Sequence, residues 1–403
     1  MRTLLALVFA ASTALAQEPG SELTISLMTM GNGDQVWEMF GHNAILIHDA
    51  SRGTDAVYNW GVFDRDQPYF IPRFLQGRML YSMAGYGLDE TLMQYRYLNR
   101  SVSVQELNLT PKQRLEIREL IERNQRPENV NYRYDYFRDN CSTRVRDLLD
   151  RVLGGQIRGA AVRQMTGTTY RSEALRLMQG DKPLAVGVDI ALGRPSDREL
   201  SVWENMFLPE VLRRFVATLQ VTDGAGGKVP LVKGERVLFQ ASRPPEATKP
   251  PSFGVALTAI GCVIAALLVW LGSRAGNGRR YARLAAAIAL GLWSLVAGVL
   301  GLILTLLWTV TDHAATYNNE NLLLFNPLWL VLAVTIPLYF ARGTTVRATR
   351  VTARGVVALA ALALLLHVVT LSRQDNMALI GLALPPALAI AWVLHRPAAH
   401  VRG

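Results

Sequence analysis

Apolar and polar residues alternate from Leu23 to Met30, the period of a strand with one face turned inward. Two further runs, Ala44 to Ile47 and Ala56 to Phe63, have the same character, and the turn-rich stretch Asp49 to Asp55 lies between them. That arrangement predicts a β-hairpin. The period then lengthens. Thr110 and Pro111 open a helix as N-cap and first helical residue, Gln113 completes a capping box, and Ile117, Leu120 and Ile121 form its apolar stripe. A second helix is predicted from Cys141 to Leu153, with Val145, Leu148, Leu149, Val152 and Leu153 on one face. Arg144, Arg146, Asp147, Asp150 and Arg151 occupy its other face, and Gly154 and Gly155 stop it. Strands mixed with amphipathic helices predict an α+β domain.

The pattern changes at residues 241–252, where Pro244, Pro245, Pro250 and Pro251 mark an extended, fairly stiff linker. Beyond it come predicted spans at about 253–272, 284–308, 325–340, 354–371 and 377–394, judged against the roughly 20 apolar residues that cross a bilayer. The third is the shortest, and its start could lie nearer Leu322. At the other end, Arg2, the apolar run Leu4 to Phe9 and the small-residue site Ala14-Leu15-Ala16 predict a signal peptide, residues 1–16, cut before Gln17. The expected organisation is an aqueous domain over 17–240, the linker, an all-α polytopic membrane domain of about five helices over 253–394, and a tail at 395–403.

Charge refines this picture. Half the residues are hydrophobic and the formal net charge is +10, with a mean hydropathy of +0.17 and a pI near 9.8. From residue 253 onward there are 11 Arg, no Lys and 3 acidic residues, so +8 of the +10 belongs to the membrane part. Arg274, Arg279, Arg280, Arg283, Arg342, Arg347, Arg350, Arg354, Arg396 and Arg402 fall in loops or tail on one side, and Arg373 alone on the other. Cytoplasmic loops retain basic residues, so the N-terminal domain is expected on the outer side. The remaining domain has no basic footprint for nucleic acid.

Candidate chemistry lies in that outer domain. Its only cysteine is Cys141, at the start of the second predicted helix with Asp139 or Asn140 as cap, and the chain's other cysteine, Cys262, sits in the first span and reads as a packing residue. A lone thiol in an oxidising compartment is either incidental or kept for reaction. The helix start supplies unpaired N–H groups and the positive dipole end, which stabilise a thiolate and can hold an oxyanion. Two histidines are on offer, His42 and His48. They share a strand face but stand roughly 20 Å apart at about 3.3 Å per residue, so only one can reach the sulfur. Gly41, which lets another backbone approach, favours His42; the plainer alternative is a structural histidine.

The segments Phe40-Gly41-His42-Asn43-Ala44, Val57-Tyr58-Asn59-Trp60-Gly61-Val62-Phe63-Asp64, Asn99-Arg100-Ser101-Val102 and Tyr134 to Arg144 together resemble the N-terminal periplasmic domain of the Lnb-type lipoprotein N-acyltransferases. The likeness covers most of residues 23–210 and extends into Asn318 to Pro327. It implies a circularly permuted papain-like (NlpC/P60-like) fold with the histidine before the cysteine. It also implies a third polar group on the strand after the histidine, for which Asn59 is favoured beside Tyr58 and Asp64. The activity it implies is acyl transfer from a phospholipid donor, through a Cys141 thioester, to the α-amine of a diacylated apolipoprotein acceptor at the bacterial inner membrane, the N-terminal domain facing the periplasm. Cys141, His42 and Asn59 would then be catalytic. Tyr58, Asn140 and Arg144 are candidates for substrate contact. His313, Asn318, Asn319 and Asn321 on an outer loop could bind head groups or cap helices, and Val202 to Pro209 could meet the interface or pack in the core.

Two rivals use the same residues. A periplasmic thiol hydrolase acting on peptidoglycan or lipid would take water as acceptor, and a non-enzymatic membrane sensor or assembly factor would tolerate loss of Cys141. No metal cluster, phosphate loop or nucleotide fingerprint is present, so no metal and no cofactor is implied.

Overall fold

The computed structural model describes residues 18–64, 66–224, 226–276, 280–342 and 346–396. The predicted signal peptide, Arg279, Arg402 and most of the predicted tail lie outside them.

The alternating segments form an antiparallel sheet. Its strands are β1 (Leu23–Met30), β2 (His42–Asp49), β3 (Thr54–Val62), β4 (Leu80–Gly87), β5 (Val102–Leu107) and β6 (Asn131–Arg133), with an edge strand at Val232–Phe239. The order across this seven-stranded sheet is edge strand, β5, β1, β2, β3, β4, β6. The register pairs Met30 with His42 and Ala44 with Asn59. Both faces are covered. Leu23, Ile25, Leu27, Ile45 and Ile47 pack with Ile117 and Ile121 of helix α3 (Pro111–Asn124) and Val145 and Leu149 of α4 (Cys141–Val152). On the other face Met28, Met30, Ala44, Leu46 and Val57 pack with Tyr95 of α2 (Leu88–Tyr97). Each buried Leu, Ile, Val or Met side chain here contributes about 1.5–3 kcal/mol. A short helix, α1 (Phe70–Leu75), lies between β3 and β4.

Among the described residues five helices are long and apolar enough to cross a membrane: Gly254–Ala275, Arg280–Thr309, Glu320–Arg342, Val346–Val368 and Met377–His395. The regular α-helix of the third begins at Leu328 after a short turn at Glu320–Leu323, and the fourth begins at Val346, earlier than residue 354. Its arginines Arg347, Arg350 and Arg354 are therefore helical; hydropathy marks the apolar stretch, whereas arginine is a good helix former that extends it. Cys262 is exposed on the first of these helices, which corrects its reading as a packing residue.

The linker is stitched down rather than free. Arg243 holds Asp34 at 2.7 Å, and Arg176 donates to the Ala247 carbonyl at 2.7 Å. A buried joint fastens the two parts. Asn319 Nδ2 donates to Ile190 O at 2.9 Å, Asn321 Nδ2 to Ile190 O at 2.9 Å, and Gln374 Nε2 to Leu192 O at 3.2 Å. From the other side Arg171 reaches Leu192 O at 2.8 Å while paired with Asp189 and Asp197.

Candidate active site

The start of α4 is built by a reciprocal cap. Asn140 Oδ1 accepts from Thr143 N at 2.9 Å, and Asn140 N donates to Thr143 Oγ1 at 2.8 Å. The Asn140 amide also donates to the carbonyls of Tyr136 at 3.0 Å and Phe207 at 2.9 Å. Asn140 is thus spent on architecture. Ser142 Oγ donates to Met206 O at 2.6 Å and lies 2.8 Å from Asn43 Oδ1, while Asn43 Nδ2 donates to Thr29 Oγ1 at 2.8 Å. Met206, Phe207 and Leu208 are buried, so the segment Val202 to Pro209 packs in the core and supports the cysteine from below.

Cys141 and His42 meet because each is the first residue of its element. Strand alternation turns His42 toward the α2 face, whereas α4 covers the other face, so contact is possible only at the sheet's end. Gly41, at φ +78°, makes the entry to β2; a Cβ there would stand 2.9 Å from Met30 O. On the neighbouring strand Gly61 forms a bulge at φ +89°, where a Cβ would meet Tyr134 Cε2 at 3.2 Å and Cys141 Cβ at 3.8 Å. Only glycine leaves that space clear.

The imidazole is held from behind. His42 Nε2 lies 3.0 Å from Asn59 Oδ1, and Asn59 Nδ2 donates to Val57 O at 3.1 Å. An oxygen acceptor on Nε2 keeps a proton there and leaves Nδ1 to face the sulfur. Burial pushes the Cys141 thiol up, but the charge of His42, its hydrogen bond and the N–H groups of Asn43 and Ser142 outweigh burial and bring the thiol below its ordinary range. The sulfur therefore sits in a buried site, 7% exposed, that favours its anion.

Aromatic rings wall this space. Tyr81 stacks on Tyr134 with centroids 4.1 Å apart, and Tyr132 lies 6.3 Å from Tyr134. Burial raises the phenol of Tyr132, and the Cys141 charge adds to it; Tyr134 is raised for the same two reasons, and burial takes Tyr95 up to about 12. These phenols are thereby held in their protonated form. The Tyr132 hydroxyl is buried with no hydrogen-bond partner among the described residues, and it lies 3.9 Å from where a Cβ on Gly61 would stand. Arg144 lies over the Tyr132 ring at 3.9 Å and pairs with Asp139.

Other predicted residues fall elsewhere. Tyr58 alternates to the face opposite Asn59 and packs with the α3 and α4 core, out of the imidazole's reach. His48 is at the far end of β2, 3.0 Å from Asp55. His313 Nε2 lies 3.2 Å from Phe74 O, Asn318 is exposed at φ +50°, and Asn321 is fully buried, its Oδ1 accepting from Asn376 at 2.8 Å. Asn321 thus takes a partner from the seam between the domains, and His313 takes its partner from α1. Asn43, Ser142 and Tyr132 escaped the sequence reading. Asn43 and Ser142 directly follow His42 and Cys141, and a buried amide next to a strand-end histidine was the available signal. Among the described residues no group of three or more His, Cys, Asp or Glu could hold a metal.

Two family models match the chain, the Lnb N-terminal periplasmic domain over residues 11–173 and the Lnb transmembrane domain over residues 251–395. Comparison with curated proteins and with solved structures gives no match.

Proposed function

Because this chain belongs to the Lnb family, a periplasmic domain followed by a membrane domain, we propose that it transfers an acyl chain from a phospholipid, through a thioester on Cys141, to the N-terminal amine of a diacylglyceryl-modified lipoprotein. The observation that carries this reading is the buried Cys141 thiol, brought low by His42 and by backbone N–H groups at a helix start. The Cys141 thiolate attacks the ester carbonyl and forms a C–S bond. The C–O bond of the tetrahedral intermediate breaks, and the imidazolium of His42 gives its proton to the departing lysophospholipid oxygen. The lipoprotein amine then attacks the thioester, a C–N bond forms, the C–S bond breaks, and His42 takes the amine proton.

Charge developing on the carbonyl oxygen needs donors already in place. The Asn140 cap uses the N–H of Thr143 and the sulfur takes that of Ser142, which leaves the N–H of Cys141 itself. The free hydroxyl of Tyr132 is a further donor. Asn59 acts as a positioning residue for the ring. Both substrates keep their acyl chains in lipid, so the reacting thiol must be held near the bilayer surface. The buried joint at Asn319, Asn321 and Gln374 ties the outer domain to the membrane helices, which supports that placement, and the arginine distribution favours the periplasmic side of the inner membrane.

The test is intact-mass analysis of the full chain in nanodiscs containing phospholipid. An acyl adduct is expected on the wild type, absent from Cys141→Ser, and discharged by a diacylglyceryl-cysteine peptide with N-acylation of that peptide. Steady fatty-acid release with no amine present would instead identify a hydrolase. No adduct on either protein would sink the thioester.

A further inference from the structure

The segment Tyr69 to Gln76 carries two helical stripes. Tyr69, Pro72, Arg73 and Gln76 recur at helical spacing and line an open pocket of about 430 Å³ together with Arg78, Leu80 and Arg133. Ile71, Phe74 and Leu75 form the other stripe and face outward, 61%, 45% and 62% exposed. A six-residue helix with its large side chains in water has lost the usual reason to fold.

Its attachment says what covers it. Asp312 N donates to Gln76 O at 2.8 Å, Arg78 Nε donates to Asp312 Oδ2 at 2.8 Å, and Arg133 reaches the same oxygen at 3.4 Å. Asp312 lies just past Thr309, where the second membrane-length helix ends, and Trp308 near that end is 40% exposed. Exposed tryptophans mark the level of the head groups. Helix α1 is therefore pinned at the outer bilayer surface by the chain emerging from it. The pocket behind carries Arg73, Arg78 and Arg133 against the single carboxylate of Asp312, so positive charge is in surplus. Arg73 has no carboxylate partner among the described residues. Leu80 on the pocket wall is followed by Tyr81, and the rings Tyr81 and Tyr134 lead on to the space at Gly61 and Cys141.

We propose that α1 inserts Ile71, Phe74 and Leu75 into the outer leaflet and that the pocket on its other face binds the phosphate of a membrane phospholipid, delivering its ester toward Cys141. The delivery step rests on the acyl-transfer reading above; the insertion and the phosphate site do not.

Both parts are tested in a turnover-dead background, so failure of acyl transfer leaves the readouts intact. Full-length Cys141→Ser, Cys262→Ser protein in phosphatidylglycerol nanodiscs receives a nitroxide at Leu75→Cys or, as the aqueous control, at Arg52→Cys in the β2–β3 turn at the far end of the sheet. The Leu75 label is expected to collide with oxygen and to be shielded from an aqueous nickel chelate, with the Arg52 label showing the reverse. Equal exposure of both labels to nickel overturns the insertion. For the pocket, native mass spectrometry in detergent compares retained phosphatidylglycerol with diacylglycerol. Arg73→Gln is expected to lower phosphatidylglycerol retention about fivefold, the factor one basic side chain is worth near an anionic surface. Diacylglycerol should be unaffected, Arg73→Lys should restore binding, and millimolar inorganic phosphate should not displace the lipid. Unchanged phosphatidylglycerol retention in Arg73→Gln, or displacement by free phosphate, overturns the lipid-phosphate site.

Discussion

Two clusters of buried polar groups in this molecule use their hydrogen-bonding capacity differently. At the joint between the domains Arg171, 2% exposed, is shared among Asp189, Asp197 and the Leu192 carbonyl. Asn319, Asn321 and Gln374 give their amides to carbonyls of residues 189–192. Demand is met within the cluster, which makes a rigid seam. At Cys141 the cap formed by Asn140 and Thr143 is equally saturated, yet the cluster aims an imidazole and two backbone N–H groups at one thiol and keeps the Tyr132 hydroxyl in reserve, without a partner among the described residues. Saturation builds architecture. Reserve capacity, held beside a group whose ionisation is shifted, is what a reaction uses.

The contrast is sharpest at His42. Removal of a general acid and base costs about 10²–10⁴ in rate, so His42→Ala should lose activity on that scale while its thermal unfolding changes little. The same variant should move the pH profile of Cys141 alkylation by iodoacetamide. His42 lowers the thiol's pKa, so the wild-type thiolate persists to lower pH and disappears as pH falls through that depressed value; without His42 the profile must shift upward. An unmoved profile would place His42 among the structural histidines and erase the difference between the two clusters.

Arg171→Met should behave in the opposite way. It strands the carboxylates of Asp189 and Asp197, and breaking a buried pair from one side costs about 3–5 kcal/mol. Thermal unfolding should fall accordingly, with the Cys141 alkylation profile preserved below the transition. Coupled loss of both would mean the seam and the site are one network.

Tyr132→Phe gives the smallest effect and the most discriminating sign. Loss of one oxyanion donor lowers turnover about a hundredfold, whereas removing a buried hydroxyl that has no partner should leave stability equal or raised. Lower stability with unchanged turnover would make Tyr132 a packing residue.

Much of this was legible along the chain because local rules set it. The capping box at Thr110 and Gln113 forms as its spacing requires, β1 runs from Leu23 to Met30, and α4 begins at Cys141. Candidate contacts were less legible. Tyr58 and Asn59 are adjacent in sequence, and only the pleat separates them to opposite faces. Asn321 reads as an outer-loop amide and lies fully buried in the seam, because its partners are carbonyls more than a hundred residues earlier.

The sequence by itself determined the elements, the membrane-length helices and the chemical repertoire, since periodicity, capping and side-chain type act over a few residues. It could name a cysteine at a helix start and a histidine at a strand start. Only the tertiary structure decided that these two starts coincide at one end of the sheet, that Asn43 and Ser142 turn their N–H groups to the sulfur, and that the C-cap of α1 at Gln76 is pinned to Asp312. Those outcomes depend on strand order, register and domain docking, which are set by burial of both sheet faces together and carry no local signature.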